Sequence, residues 1–388
     1  MFTAPPVFTQ LFQYIPHYHF QRLVHRYGGD QQSRDFSCWD QFLCMAFAQL
    51  AQRNSLRETV LCLNARPHLL YHLGIRGEVR RSTLADANER RDWRIFGDLG
   101  AWLIRRAQQL HTDTTLGEVD WSGAAYALDA STIDLCLSVF PWAHFRSTKA
   151  GIKLHALLNL RGNIPSFIAI TPAQWHEVNV MDLVPVEPGA CYVVDRGYTD
   201  FARLYGLQQA RAFFVIRAKR NLDFIRHDSQ VVNEPGVRSD QLGRFGGVRA
   251  ASDYPDKVRR VHYFDADTAK HLWFLTNHFL PSALTVARLY KLRWQVELFF
   301  KWIKQHLGVK VFYGASENAV KIQLWTAISV YALLAILKKE LGLAQSLNEI
   351  AQVLSVSLFE KMPLPQLFMK YSIREPHNSD SNQLMFNV

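Results

Sequence analysis

Four residues late in the chain, Tyr290, Arg293, Glu297 and Lys304, stand at relative positions 0, 3, 7 and 14. On a helix turning about 100° per residue they fall within an arc of roughly 60°. One hydroxyl, two cations and one carboxylate then share a face, while Leu292, Trp294, Val296, Leu298, Phe299 and Ile303 supply apolar sides. A carboxylate among cations suits a site where the acid holds a metal ion and its neighbours hold phosphate. A solvated face with helical ion pairs, such as Glu297 with Arg293, accounts for the same spacing.

Two more carboxylates invite the same chemistry. Asp129 closes the apolar run Tyr126-Ala127-Leu128, and Asp195 closes Tyr192-Val193-Val194. An acid ending a buried strand lies at the sheet edge, where α/β sites form; an Asp that merely starts a turn gives the same pattern. Three converging carboxylates repel one another unless divalent cations neutralise them, and hard cations such as Mg²⁺ prefer oxygen ligands. Asp134 competes with Asp129 for this role. Strand-end placement and the 66 residues from Asp129 to Asp195 favour Asp129.

The elements that must position these acids follow from periodicity. Residues 1–115 read as helical. Ser37 with Asp40 and Ser55 with Glu58 resemble capping boxes, and Thr83 is placed to cap a further helix. Trp93 to Leu110 carries a helical apolar stripe. From residue 120 short apolar runs alternate with turns: Ala125–Leu128, Leu154–Leu160, Ser166–Ile170, Cys191–Val194 and Ala212–Ile216, with a helical stretch between Tyr198 and Ala210. This alternation predicts an α/β core over 120–220. Residues 221–278 read as a β-rich insertion, 279–310 as the Glu297 helix and its approach, 311–372 as a C-terminal helical region and 373–388 as a flexible tail. Leu324 to Leu337 is too short for a membrane span and predicts a buried core helix.

Composition bounds the partners. Hydrophobic residues make up 48% of 388 residues, enough for sizeable cores, and the formal net charge is +10. Such a surplus points to a polyanion, although a basic protein without a nucleic-acid role has the same composition. The five cysteines are odd in number and show no CxxC spacing, which suggests neither a thiolate zinc site nor a disulfide framework and fits a cytoplasmic protein. The N-terminus lacks signal-peptide character, and no membrane partner is expected.

Tyr290-x2-Arg293-x3-Glu297-x6-Lys304 resembles the Y-R-E-K signature of bacterial insertion-sequence transposases. Asp129-Ala130-Ser131-Thr132 and Asp195-Arg196-Gly197-Tyr198 resemble the two Asp segments of the insertion-sequence-four family of DDE transposases. The 102 residues from Asp195 to Glu297 leave room for that family's β-rich insertion. The resemblance covers roughly residues 120–330.

The resemblance implies a ribonuclease-H-like core in which Asp129, Asp195 and Glu297 hold two Mg²⁺ or Mn²⁺ ions. One ion activates water or a DNA 3′-hydroxyl; the other stabilises the leaving oxygen. It implies cutting of double-stranded DNA at terminal inverted repeats and joining to target DNA, through a hairpin in relatives, by a homodimer assembled on DNA. Tyr290, Arg293 and Lys304 would grip phosphates near the cut, and Trp273 would stack a base. Rival readings are a nuclease or resolvase of the same fold and a DNA-binding protein with a dead core.

Other basic residues carry two readings each. Lys149, Lys153 and His155 face DNA or form a basic loop. Arg196 contacts DNA or a carboxylate, and Arg217 follows the next apolar run. Arg80, Arg81, Arg90 and Arg91 bracket a helix that reads the major groove or is simply exposed.

Overall fold

The structure, a computed structural model, describes residues 4–31, 33, 35–146, 149–219, 221–306 and 311–369. The expected tail over 373–388 lies outside these residues. The chain opens in helices: α1 (Val7–Phe12), α2 (His17–Arg26), α3 (Cys38–Leu50), α4 (Leu56–Asn64), α5 (Pro67–Leu70), α6 (Arg81–Arg90) and α7 (Arg94–Leu110). At α3 the capping box is complete: Asp40 N donates to Ser37 Oγ at 3.1 Å, and Ser37 N donates to Asp40 Oδ2 at 2.7 Å. At α4 it is shifted: Glu58 N donates to Ser55 Oγ at 3.1 Å, but the Glu58 carboxylate accepts from Asn54 N at 3.0 Å. Thr83 caps nothing. Helix α6 begins at Arg81 without a side-chain cap, and its Leu84 and Ala87 are buried in the core.

Ten strands among the described residues form one mixed sheet. They are β1 (Ala125–Leu135), β2 (His144–Arg146), β3 (Lys149–Asn159), β4 (Ile164–Pro172), β5 (Cys191–Val194), β6 (Phe213–Arg217), β7 (Phe224–Gln230), β8 (Val237–Phe245), β9 (Val258–Asp265) and β10 (Lys270–Thr276). The order is β2-β3-β1-β5-β6-β10-β9-β8-β7, with β4 also on β3. Strands β1, β5 and β6 run parallel; β3 and β4 meander antiparallel beside β1. Helix α8 (Phe201–Gln209) connects β5 to β6.

Two expectations are corrected here. Asp129 does not end its strand. The antiparallel partner β3 pairs β1 from Tyr126↔Asn159 to Leu135↔Ala150 and carries it onward. Only the parallel ladder to β5 stops, at Leu128↔Val194, so Asp129 and Asp195 each stand one position beyond it. The helix expected to run unbroken from Tyr290 to Lys304 is two helices, α10 (Ala283–Leu292) and α11 (Trp294–His306). At the joint, Arg293 N donates to Tyr290 O at 3.0 Å and Val296 N to Arg293 O at 3.1 Å. These i→i+3 bonds tighten the turn and rotate the register across it.

Residues 221–278 are β-rich, with the short helix α9 (Val248–Asp253) among strands β7 to β10. They continue the same sheet: β10 pairs β6 through Phe274↔Arg217. After α11 the chain forms α12 (Glu317–Glu340), α13 (Leu347–Ser357) and α14 (Leu364–Met369).

One apolar core joins the N-terminal helices, one sheet face, α10, α11 and α12; a second lies on the opposite face, under α8. Helix α12 is long and apolar enough to cross a membrane, but 89% of its most apolar stretch is buried inside the protein. It packs against α7 and α3. The approach to α7 is close because Gly100 has no side chain: a Cβ there would stand 2.8 Å from Trp325 Cε3.

Candidate active site

Strand alternation sends side chains to opposite sheet faces. Asp129 shares a face with Ala127, whose side chain joins the core beneath α10 and α11. Asp195 follows the last paired residue of β5 and caps the turn Arg196–Tyr198, where its Oδ1 accepts from Gly197 N at 2.8 Å. Asp134 is exposed and five positions along the same unbroken strand, so it points to the other face.

Arg293, at the joint of α10 and α11, ties the acids together. Its Nη1 donates to Asp129 Oδ2 at 2.9 Å, and its Nη2 donates to Glu297 Oε1. Asp129 Oδ1 accepts from Ala130 N at 2.8 Å. Burial nevertheless pushes the Asp129 carboxyl up to about 6; Arg293 and the Ala130 amide pull it down, and the charges of Glu297 and Asp195 push it up again. Asp129 therefore feels the charges of both other acids. Burial opposes the charge on Arg293, and Tyr290, Asp129 and Glu297 outweigh it, holding the guanidinium above its ordinary range.

Two buried polar atoms here lack partners, Tyr198 Oη and Arg293 Nε. Burial raises the Tyr198 phenol, and Asp129, Glu177 and Asp195 raise it further. Among the described residues, no three His, Cys, Asp or Glu side chains stand close enough to clasp a metal ion as they lie. Between Asp129 and Glu297 the positive charge is that of Arg293. The donors themselves, carboxylate oxygens that need a countercharge, fit a hard divalent cation.

The other expected site residues fall in different places. Tyr290 packs on Phe274 at 4.7 Å between ring centroids, with Arg293 over its ring at 5.7 Å. Lys304 Nζ donates to Thr132 O at 2.7 Å and so ties α11 to β1. Lys153 is engaged by Glu177 at 3.2 Å and donates to Trp175 O at 3.0 Å. His155 is fully buried, with Nε2 beside Thr171 Oγ1 at 2.9 Å, and does not face DNA. Arg196 is exposed next to Asp195. Arg91 is buried and donates to Ser37 O at 2.9 Å and Gln41 Oε1 at 3.1 Å, so it supports α3 and cannot read a groove. Arg90 is paired with Asp86 at 3.1 Å.

A cleft of about 350 Å³ opens beside Asp195. Tyr263, Leu272, Phe274, Tyr290 and Trp294 form its apolar wall, and Arg217, Lys270 and Arg288 add positive charge. Because Leu272 and Phe274 line the cleft, Trp273 between them points to the opposite sheet face; it stacks there on His262. A base-stacking role for Trp273 in this cleft is thus corrected, and the exposed Trp294 stands at the position that faces it. Trp294 lies inside the Y-R-E-K spacing, but helical periodicity assigned it to packing. Arg217 was visible only as a cation after an apolar run.

Known proteins resemble this chain in sequence. Residues 121–333 match the transposase DDE domain family. The chain belongs to the DDE transposases. Residues 3–76 of the transposase match a second family, a domain of unknown function (DUF4372). A protein of Sinorhizobium fredii named as a transposase is 32% identical over 289 residues, 72% of this chain and 77% of that protein. A Geobacillus stearothermophilus protein, named for insertion sequence element IS5377, is 31% identical over 212 residues, 53% of this chain and 55% of that one. A Synechocystis protein named for insertion sequence element IS4SA is 26% identical over 287 residues, 70% of this chain and 76% of that one. The chain is therefore an insertion-sequence transposase, an enzyme that cuts and transfers DNA strands, and its family works with divalent metal ions.

Proposed function

We propose that this transposase cuts the ends of its own element and joins them to target DNA at the site built from Asp129, Asp195 and Glu297. The observation that carries the proposal is the Arg293 bridge: one guanidinium engages Asp129 on β1 and Glu297 on α11, beside Asp195 at the end of β5. The order β4-β3-β1-β5-β6, antiparallel on one side of β1 and parallel on the other, supports a ribonuclease-H-like core. Two Mg²⁺ or Mn²⁺ ions held by the three acids would activate the attacking oxygen and stabilise the leaving oxygen.

The chain's own residues do the remainder. Arg293 neutralises the acids before ions bind and, once released from them, is placed to take a phosphate. Lys304 braces α11 against β1 and so holds Glu297 at the distance of the two Asp residues. The cleft walled by Tyr290 and Trp294 receives the DNA beside the cut, with Arg217 and Arg288 at its rim. The helical region 1–115 binds duplex DNA through its exposed cations, the segment 221–278 extends the core sheet, and two copies assemble on the DNA ends in the cytoplasm.

The test uses duplexes taken from the DNA flanking this gene, a target plasmid and Mg²⁺ or Mn²⁺. Asp195→Asn should bind the duplex as the parent does and lose both cutting and joining, by a factor of about 10³ or more when a charge-stabilising ligand is lost. Cutting without joined product would instead establish a nuclease, and an Asp195→Asn variant that cuts as well as the parent would remove the three acids from the reaction.

A further inference from the structure

On the sheet face opposite the cleft, strands β7 to β10 set cations and rings side by side. His262 stacks on Trp273 at 3.9 Å with 10° between planes, and its Nε2 lies 3.0 Å from His271 Nδ1. The Arg260 guanidinium is 4.1 Å from the Phe224 ring and 4.9 Å from that of Trp273; Gln241 Oε1 accepts from its Nη2 at 2.7 Å. Arg238 lies over Phe264 at 5.3 Å.

These groups repel one another. After burial, the charge of Arg226 lowers the proton affinity of Arg260, and those of His271, Arg238 and Arg260 lower that of His262. Of the acids on β7 and β8, Asp240 is buried in an ion pair with Arg259 at 2.7 Å, and Asp228 stands opposite Leu242, out of step with the Gln241–Arg260 pair and so on the other face. The fold thus gathers Arg226, Arg238 and Arg260 on one sheet face, and stacking on aromatic rings orients the guanidinium groups of Arg238 and Arg260. A row of oriented cations over aromatic rings suits the phosphates of a nucleic acid.

We propose that this outer face of β7 to β10 binds a stretch of DNA backbone separate from the one in the catalytic cleft. The inference rests on the chain acting on DNA. The cleft and the patch lie on opposite faces of one sheet, so a straight duplex cannot occupy both. The DNA here is a flank bent around the sheet edge or a second duplex; the chemistry is the same for both. An acidic protein answers to the charge alone, whereas the aromatic-stacked arginines and the protein's own substrate favour DNA.

The test is fluorescence anisotropy, without metal, of an element-end duplex and an unrelated duplex over a range of salt concentrations. The double variant Arg226→Gln/Arg238→Gln removes two exposed cations, one of them the Arg238 stacked on Phe264, and leaves the Arg260 and His262 stacks on Phe224 and Trp273 in place. Its affinity should fall about 10-fold, and the slope of log affinity against log salt should shrink by about 2. Loss on the unrelated duplex assigns the face to a second duplex; loss confined to the element end assigns it to flanking DNA. Arg249→Gln, on an equally exposed cation beside Asp253, should change neither quantity. If the double variant does not fold, Arg238→Glu alone carries the same expectation with a slope change of about 1 or more. Parent affinity and slope in the variants overturn the proposal, as does unchanged DNA binding with lost affinity for polyglutamate, which would assign the face to an acidic protein. Because binding is read without metal, an enzyme that fails to cut still passes or fails this test.

Discussion

Arg293→Gln tests how the acid cluster is held before metal binds. The Asp129 side chain is 18% exposed, and its carboxyl sits at about 6 even with Arg293 at 2.9 Å. Against an ordinary value near 3.8, that rise means the ionised acid already costs about 3 kcal/mol at neutral pH. At an effective dielectric of about 20, the Arg293 charge contributes roughly 5 kcal/mol of gross attraction. Relief of the arginine's own burial offsets part of this, and breaking such a pair leaves a net loss of about 3 kcal/mol. The carboxyl in the variant must then titrate above 6. The folded variant keeps a proton that the unfolded chain releases, so its stability falls as pH rises from about 4 through that higher value. Between pH 7.5 and 5.5 the variant should regain about 2–3 kcal/mol and the parent less than about 1 kcal/mol. The assay is thermal and urea unfolding at both pH values, with chelator or with Mn²⁺. The metal-free variant should melt about 4 °C below the parent at pH 7.5, and Mn²⁺ should raise its midpoint more than the parent's. Equal midpoints at pH 7.5, or a deficit that ignores both pH and Mn²⁺, would refute the idea that Arg293 serves as the countercharge.

Packing and burial give two further outcomes. Gly100→Ala should destabilise by about 1–2 kcal/mol: a methyl 2.8 Å from Trp325 Cε3 overpacks the α7–α12 contact, and the better helix propensity of Ala repays only part; an unchanged urea midpoint would show that Trp325 yields freely. His155 is depressed to about 4, by burial first and then by Lys153, so the fold stays neutral there while the unfolded chain takes up a proton below about 6.5. That contribution to stability is present above 6.5 and is lost as pH falls towards 4, about 2 kcal/mol between pH 7 and 5. His155→Gln should flatten this part of the acid limb, although Asp129 works in the opposite direction over part of the same window; matching acid limbs in the two proteins would count against it.

The acids were legible because their signals are local. Asp129 and Asp195 each close an apolar run, and the spacing of Tyr290, Arg293, Glu297 and Lys304 survives in a single chain segment. The relation among them was not. Whether Arg293 meets Asp129 depends on a contact 164 residues apart along the chain, which no window of periodicity contains. The break at Arg293 was hidden because its neighbours are ordinary helix formers without Gly or Pro. Strands β7 and β8 escaped notice since six of the seven β7 residues are exposed and their alternation carries no apolar stripe. Trp273 was misplaced because its role came from the family resemblance alone, whereas strand alternation puts it on the face opposite Leu272 and Phe274.

The sheet extension leaves β6 and returns on β10 as its neighbour, and Ala218 N bonds Trp273 O at 2.8 Å across that gateway. A detour whose entrance and exit are adjacent transmits none of its own length to the chain beyond it. Glu297 is reached after the detour, and α10, which leads to it, is seated on β8 and β9 as well as on β6 and β10. The far strands are thus tied back to the chemistry: Glu234 accepts from Leu284 N at 2.8 Å and Arg259 donates to Pro281 O at 2.6 Å, so a change at either residue reaches the start of α10 and, through it, the helix that carries Glu297.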